Sequence, residues 1–293
     1  MNASIRPIRA RAAVPAALFR ALHWKLLLLW VLATLGCALL AALPVWSWLG
    51  SVLDHSLQSE AIANGQAPMH LIDAMMASTA PLATLGANVR IAAALMLLLS
   101  PLLVGATLVA SRSAVRLGFG DLLRGAIGEY WPLLRLLLWS ILPLGAAVAL
   151  YGALAGIGGK ANEHAILASS VEHWNDFAMG AAGLLLVLAH ASVEAGRGWM
   201  AADPNLRSAI RAWWRGAALL VRRPIAVLSA YAFPWLLAAL LALALLWLRQ
   251  HSGAGLTLGL LFSCLISGAL AWGKVARLFA LRTLASDRRQ GRG

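Results

Sequence analysis

Apolar runs of membrane-spanning length alternate along this chain with short polar segments that carry most of its arginines. From Ile225 to Leu248 no charged residue occurs over 24 positions. About 20 apolar residues in helical conformation cross a bilayer's hydrocarbon core, so this stretch spans. Five other runs share the pattern. The predicted spans fall at about 26–49, 91–111, 133–156, 177–197, 225–248 and 255–273. Ahead of the fifth run, Asp203-Pro204 reads as a helix start, with Asp as N-cap and proline in the first turn. Leu206, Ile210, Trp213, Trp214, Ala217 and Val221 then recur at helical spacing, and Arg207, Arg211, Arg215 and Arg222 fall on the other side. That spacing predicts a basic amphipathic helix lying in the membrane interface, followed by Arg223-Pro224 and the span.

The pattern hints at a repeated unit of interfacial helix, outward span, external loop and inward span, used three times. The second, fourth and sixth runs end in small residues before a cation: Gly105 to Arg112, His190 to Arg197, and Ser267 to Lys274. Chance likeness among alanine-rich segments is the rival explanation. Small residues let helix backbones approach where lipid gives no hydrophobic drive, so the even spans are expected inside and the leucine-rich odd spans toward lipid. Pro143 and Pro234 are expected to kink their spans.

Composition turns the pattern into a class. The 293 residues are 61% hydrophobic and 12% charged, against roughly a quarter charged in soluble domains. The chain is therefore expected to be an all-α polytopic integral membrane protein, read as one transmembrane domain over residues 1–293. Cys37 and Cys264 both lie inside apolar runs and give neither a disulfide framework nor a metal spacing. Arg6, Arg9, Arg11, Arg20 and Lys25 precede the first run as in a signal peptide, but that run is too long for a signal core. Thr34 to Cys37 departs from a lipoprotein box, and an uncleaved first span is expected.

A net charge of +13 raises nucleic acid as a partner, but the cations flank apolar runs, which points to membrane lipid and against nucleic acid. With six spans, 21 of the 24 lysines and arginines fall on one side, leaving Arg90, Lys160 and Arg249 on the other. Cytoplasmic flanks collect such residues, so both termini are expected in the cytoplasm. Trp24, Trp131, Trp199, Trp213, Trp214 and Trp272 are expected in an aromatic belt at that boundary, and Trp46, Trp48, Trp174 and Trp247 in the opposite one.

The chief polar feature inside the spans is His190 with Glu194, one turn apart, with Arg197 a turn further. Ionisable groups there mark a proton or substrate path, or else a structural bridge from Glu194 to Arg197 or Lys274. The external segments pair acids with histidines at Asp54-His55, Glu163-His164 and Glu172-His173, with His70, Asp73 and Asp176 nearby. No ligand spacing joins them, so a solvated loop is expected and no metal site is assigned. Arg90, with Asn88 at the outer start of the second span, reads equally as a contact for an anionic headgroup or as a snorkelling residue. Gly156 to Gly159 reads as a helix stop, and Gly118 to Asp121 as a turn with Asp121 capping the next helix. No Walker loop, dinucleotide fingerprint, GxSxG or HExxH occurs; no catalytic residue and no cofactor is assigned, and no enzyme activity is expected.

Phe19-Arg20 through Lys25 leading into the first span, and Arg207-Ser208-Ala209-Ile210-Arg211 with Trp213-Trp214 ahead of the fifth, carry a family likeness. In these the chain resembles a loose group of six-helix bacterial inner-membrane proteins without an assigned activity. The group includes the YciC-type envelope proteins and the membrane domain sometimes fused to glycerophosphodiester phosphodiesterases. The resemblance is architectural. It implies an inner-membrane protein of envelope upkeep, lipid handling or membrane-complex assembly, with a lipid or unidentified membrane-protein partner. It carries no hydrolase activity, because the phosphodiesterase domain is missing from this sequence. The residues themselves single out Arg207, Arg211, Arg215, Arg222 and Arg223 as a collar for anionic phospholipid. The alternative is a small-solute or proton-coupled transporter with His190, Glu194 and Lys274 lining its path.

Overall fold

A computed structural model describes residues 10–53, 80–161, 168–252 and 255–290, together with Leu57, Met69, Ile72 and Asp73. The described residues form eight α-helices and no strand: α1 (Ala10–Arg20), α2 (Trp24–Leu53), α3 (Ala80–Arg112), α4 (Phe119–Ala161), α5 (Ala168–Ala202), α6 (Ala209–Arg222), α7 (Pro224–His251) and α8 (Leu256–Gln290). Six of them, α2 to α5 with α7 and α8, are long and apolar enough to cross a membrane. The chain divides into two compact units, one of Met1–Leu27 with Pro101–Gly293 and one of Leu28–Ser100. The second consists of most of α2 and most of α3, where Thr34 hydrogen-bonds back to the Trp30 carbonyl one turn earlier (2.8 Å).

In the larger unit, α8 packs on α7, α5 and α1, while α5 also holds α4 and α6. The even spans are the more buried ones, as their small residues suggest. Of their most apolar stretches, 44%, 28% and 28% is buried in α3, α5 and α8, against 17%, 22% and 17% in α2, α4 and α7. Glycines set the closest crossings. A side chain on Gly216 of α6 would strike the Gly196 nitrogen and the Ser192 carbonyl of α5. A Cβ on Gly105 would sit 2.9 Å from the Ala126 carbonyl of α4, and one on Gly273 2.9 Å from the Pro234 carbonyl of α7. Backbone contact of this kind replaces hydrophobic drive as the source of helix association in lipid.

Several local expectations need correction. The interfacial helix starts at Ala209, not at Asp203-Pro204. Ser208 is its N-cap, accepting from the Arg211 N–H, while Asp203 accepts from Asn205 N–H in a tight turn (3.3 Å). Asp203 is also drawn to Arg215 and Arg289, at 3.3 and 3.5 Å, which holds the turn outside the helix. The side of this helix that packs on the bundle is its small-residue side. Its buried residues are Ala209, Ala212, Gly216, Leu219 and Leu220, while Ile210, Trp214 and Val221 are exposed. Gly156 to Gly159 do not stop α4, which runs on to Ala161. Gly158 is where the Trp174 indole lies against the backbone, donating to the Leu154 carbonyl at 2.8 Å. Asp121 does cap α4, its carboxylate accepting from the Gly118 N–H at 3.3 Å.

Pro143 and Pro234 lie inside unbroken helices. Trp199 is not a belt residue: only 4% exposed, it sits under the Arg215 guanidinium, 5.6 Å from the ring centre. Trp24, Trp131 and Trp214 do stand out from the surface. The last span does not end in a polar arm at Gly273 either. It continues as helix to Gln290, and Val275, Ala276, Leu278, Ala280, Leu281 and Ala285 in that extension are among the most buried residues of the fold.

Candidate functional site

The cation-rich end of the larger unit is tied together by arginines at helix C-termini, where the last carbonyls lack partners and carry the negative end of the dipole. Arg112, the last residue of α3, donates to the Met200 and Ala201 carbonyls near the end of α5 (2.6 and 3.2 Å) and to Glu129 on α4 (2.6 Å). Arg289 donates to the Ala202 carbonyl at 2.8 Å, and Arg282 to that of Ser111 at the end of α3. Sequence reading counted these residues as membrane-facing charge. Their side chains instead stitch α3, α5 and α8.

Within that end, helical spacing on α5 brings His190, Glu194 and Arg197 to one face, as expected. Glu194 is 3% exposed. Arg197 holds it at 2.5 Å, Arg277 from α8 at 3.3 Å, and the His190 Nε2 lies 3.8 Å away. The His190 Nδ1 makes a 2.7 Å hydrogen bond with the Tyr231 hydroxyl of α7, and the Arg277 guanidinium sits 5.1 Å from the Tyr231 ring centre. Lys274 stands one turn before Arg277 and feels the charge of Glu194, Arg197 and Arg277. The carboxylate is thus the shared counter-ion of two guanidinium groups, both in contact with one of its oxygens. Nearby, Trp213 on α6 donates to the Ser192 hydroxyl at 3.0 Å and stacks edge-on with Trp139.

The bridge from Glu194 to Arg197 was legible in the sequence. Arg277 and Tyr231 were missed. Arg277 lay in the presumed tail, and only the continuation of α8 brings it back to α5. A tyrosine one turn before Pro234 carried no signal of its own.

The collar residues separate into two groups. Arg215 is paired with Asp203 and Arg223 with Asp287 (2.6 Å), whereas Arg207, Arg211 and Arg222 are exposed and make no ion pair among the described residues. Of the acid–histidine pairs, Asp54, His55, His70, Glu163 and His164 lie outside the described residues, and so does the side chain of Glu172. Among the described residues no three His, Cys, Asp or Glu side chains come together as a metal site.

Fold and site define a multi-pass α-helical membrane protein whose larger unit is tied together at one end by buried ion pairs and arginine caps. No protein-family model, curated protein or solved structure matches the chain.

Proposed function

We propose that this is a non-enzymatic inner-membrane protein of the bacterial envelope, with both termini cytoplasmic, whose cation-rich end engages anionic phospholipid. The role that fits is lipid handling or support of a membrane complex. One observation carries the reading. On and just before α6, Arg207, Arg211 and Arg222 project unpaired beside the exposed Ile210, Trp214 and Val221. An apolar and a basic surface on one short helix suit the boundary between acyl chains and anionic headgroups, where each cation contributes about 1 kcal/mol. The test is native mass spectrometry of the full chain from mild detergent. Changing Arg207, Arg211 and Arg222 to Gln should strip co-purifying phosphatidylglycerol; retained lipid sinks the proposal.

The chain of Glu194, His190 and Tyr231 supports a second reading, proton-coupled transport of a small solute. When Tyr231 donates to His190 Nδ1, the Nε2 carries its proton toward Glu194. In liposomes, His190→Ala at normal folded yield should then abolish uptake driven by a proton gradient. Unchanged uptake rejects the assignment.

A further inference from the structure

A second polar concavity lies apart from both the Glu194 cluster and the α6 surface. It is an open cavity of about 330 Å³, formed by the α1–α2 turn and the α3–α4 turn over Phe279 of α8. Arg20, His23 and Arg116 give it its charge, and Phe19, Leu22 and Val115 stand at its edge. Three features of this cavity point to a ligand.

The first is charge. Arg20 and Arg116 make no ion pair among the described residues. Both arginines line the cavity wall, with the His23 ring between the two turns that carry them. Among the described residues no acid lines the cavity, and Glu129 at that end is already paired with Arg112. A concentration of like charge around a cavity is relieved by a bound anion.

The second is an unused donor. The His23 Nδ1 accepts from the Leu26 N–H at 3.4 Å, which leaves the proton on Nε2. That nitrogen is buried and has no partner, as has Arg282 Nε. Buried donors without partners are rare and cost free energy unless a ligand or water completes them. Burial and the neighbouring Arg116 and Lys25 hold the His23 pKa below its ordinary value. A neutral ring in the cavity wall adds no positive charge to that of the two arginines.

The third is the rim. Phe19, Leu22 and Val115 are 77%, 53% and 74% exposed, an apolar edge around a cationic floor. Beside it Trp24 meets Phe119 edge-on at 5.6 Å, with the Lys25 ammonium about 6 Å from both rings, the kind of cluster found at headgroup depth.

We infer that this cavity binds a phosphate monoanion or diester, held by Arg20 and Arg116, with the neutral His23 ring in its wall. Two sources share that chemistry, a phospholipid headgroup with its chains against Phe19, Leu22 and Val115, or free phosphate.

The test uses the full chain in nanodiscs of phosphatidylcholine. Phosphatidylglycerol or inorganic phosphate is titrated in, and the intrinsic fluorescence of the adjacent Trp24 and the bound mass are followed. Arg116→Gln is the primary variant because Arg116 is exposed, lies in a turn and ties no element to another; Arg20→Gln is the second. Each should weaken binding at least tenfold. Arg124→Gln with Arg249→Gln, which removes two cations that neither line the cavity nor belong to the α6 surface, should change it less than threefold. Saturable binding of phosphatidylglycerol that millimolar phosphate does not compete away assigns the lipid. Saturable binding of phosphate alone assigns the free anion. Binding unchanged in both single variants, or lost equally in the control pair, overturns the inference.

Discussion

At the residue scale, Glu194 decides how the polar centre is understood. A carboxylate buried between two guanidinium groups holds α5 and α8 together, and removing it strands two buried positive charges. Glu194→Gln keeps the shape and deletes the charge. It should cost about 3 kcal/mol in reversible unfolding from mixed micelles. Arg277→Met in the same background should recover part of that loss, since the uncompensated cation goes with it. A cost below about 1 kcal/mol would show that the carboxylate is not a structural counter-ion. Gly216 makes a separate case. Any side chain there meets α5 backbone, so Gly216→Ala should destabilise by about 1–3 kcal/mol or push α6 off the bundle. Gly145, in the interior of α4 with open space around it, is the contrast: Gly145→Ala should be neutral or gain up to about 1 kcal/mol from helix propensity alone. Equal effects at the two sites, read by the same unfolding assay, would remove the argument for a backbone crossing.

At the element scale, α8 is where sequence pattern and structure part company. Hydropathy puts the end of the sixth span at about residue 273, because Lys274, Arg277 and Arg282 follow within nine positions. Yet Val275, Ala276, Leu278, Leu281 and Ala285 continue an apolar stripe between those cations, and the helix simply runs on with that stripe as its core face. A stop codon after Gly273 leaves all six apolar runs intact, so a flexible arm predicts normal folding. The structure predicts that the truncated chain fails to give a monodisperse peak in size-exclusion chromatography. The six spans and the small-residue character of α3, α5 and α8 were legible because length and residue size act locally. The side of α6 that packs on α5 was not. The bundle takes its alanine–glycine side, since only that side admits the α5 backbone at Gly196, while Ile210 and Trp214, read in the sequence as interfacial, stay exposed. Arg277 was illegible for a related reason: an arginine beyond the hydropathic boundary reads as solvated charge until its partner on another helix is known.

At the scale of the whole molecule, the open question is whether charge asymmetry still reports orientation once many of the cations are known to be engaged. Arg112, Arg197, Arg215, Arg223, Arg277, Arg282 and Arg289 cap helices or pair with acids in the folded state. Such contacts form only after the spans have been inserted and assembled. The bias for retaining lysine and arginine in the cytoplasm acts on the flanks of spans as they enter the bilayer, before those partners exist. Later pairing therefore does not erase the signal, and the proposal that the side with 21 of 24 cations is the cytoplasmic one rests on it. Ser252, between α7 and α8, then belongs outside and is exposed. With Cys37 and Cys264 replaced by alanine, Ser252→Cys should react in intact spheroplasts with a membrane-impermeant maleimide, while a cysteine at Arg124, on the first turns of α4, should react only after lysis. A fluorescent protein fused behind Gly293, which matures only in the cytoplasm, should glow. The reverse labelling pattern with a dark fusion would mean that the arginines are placed for the fold alone, and both the cytoplasmic assignment and the anionic-leaflet proposal built on it would fall together.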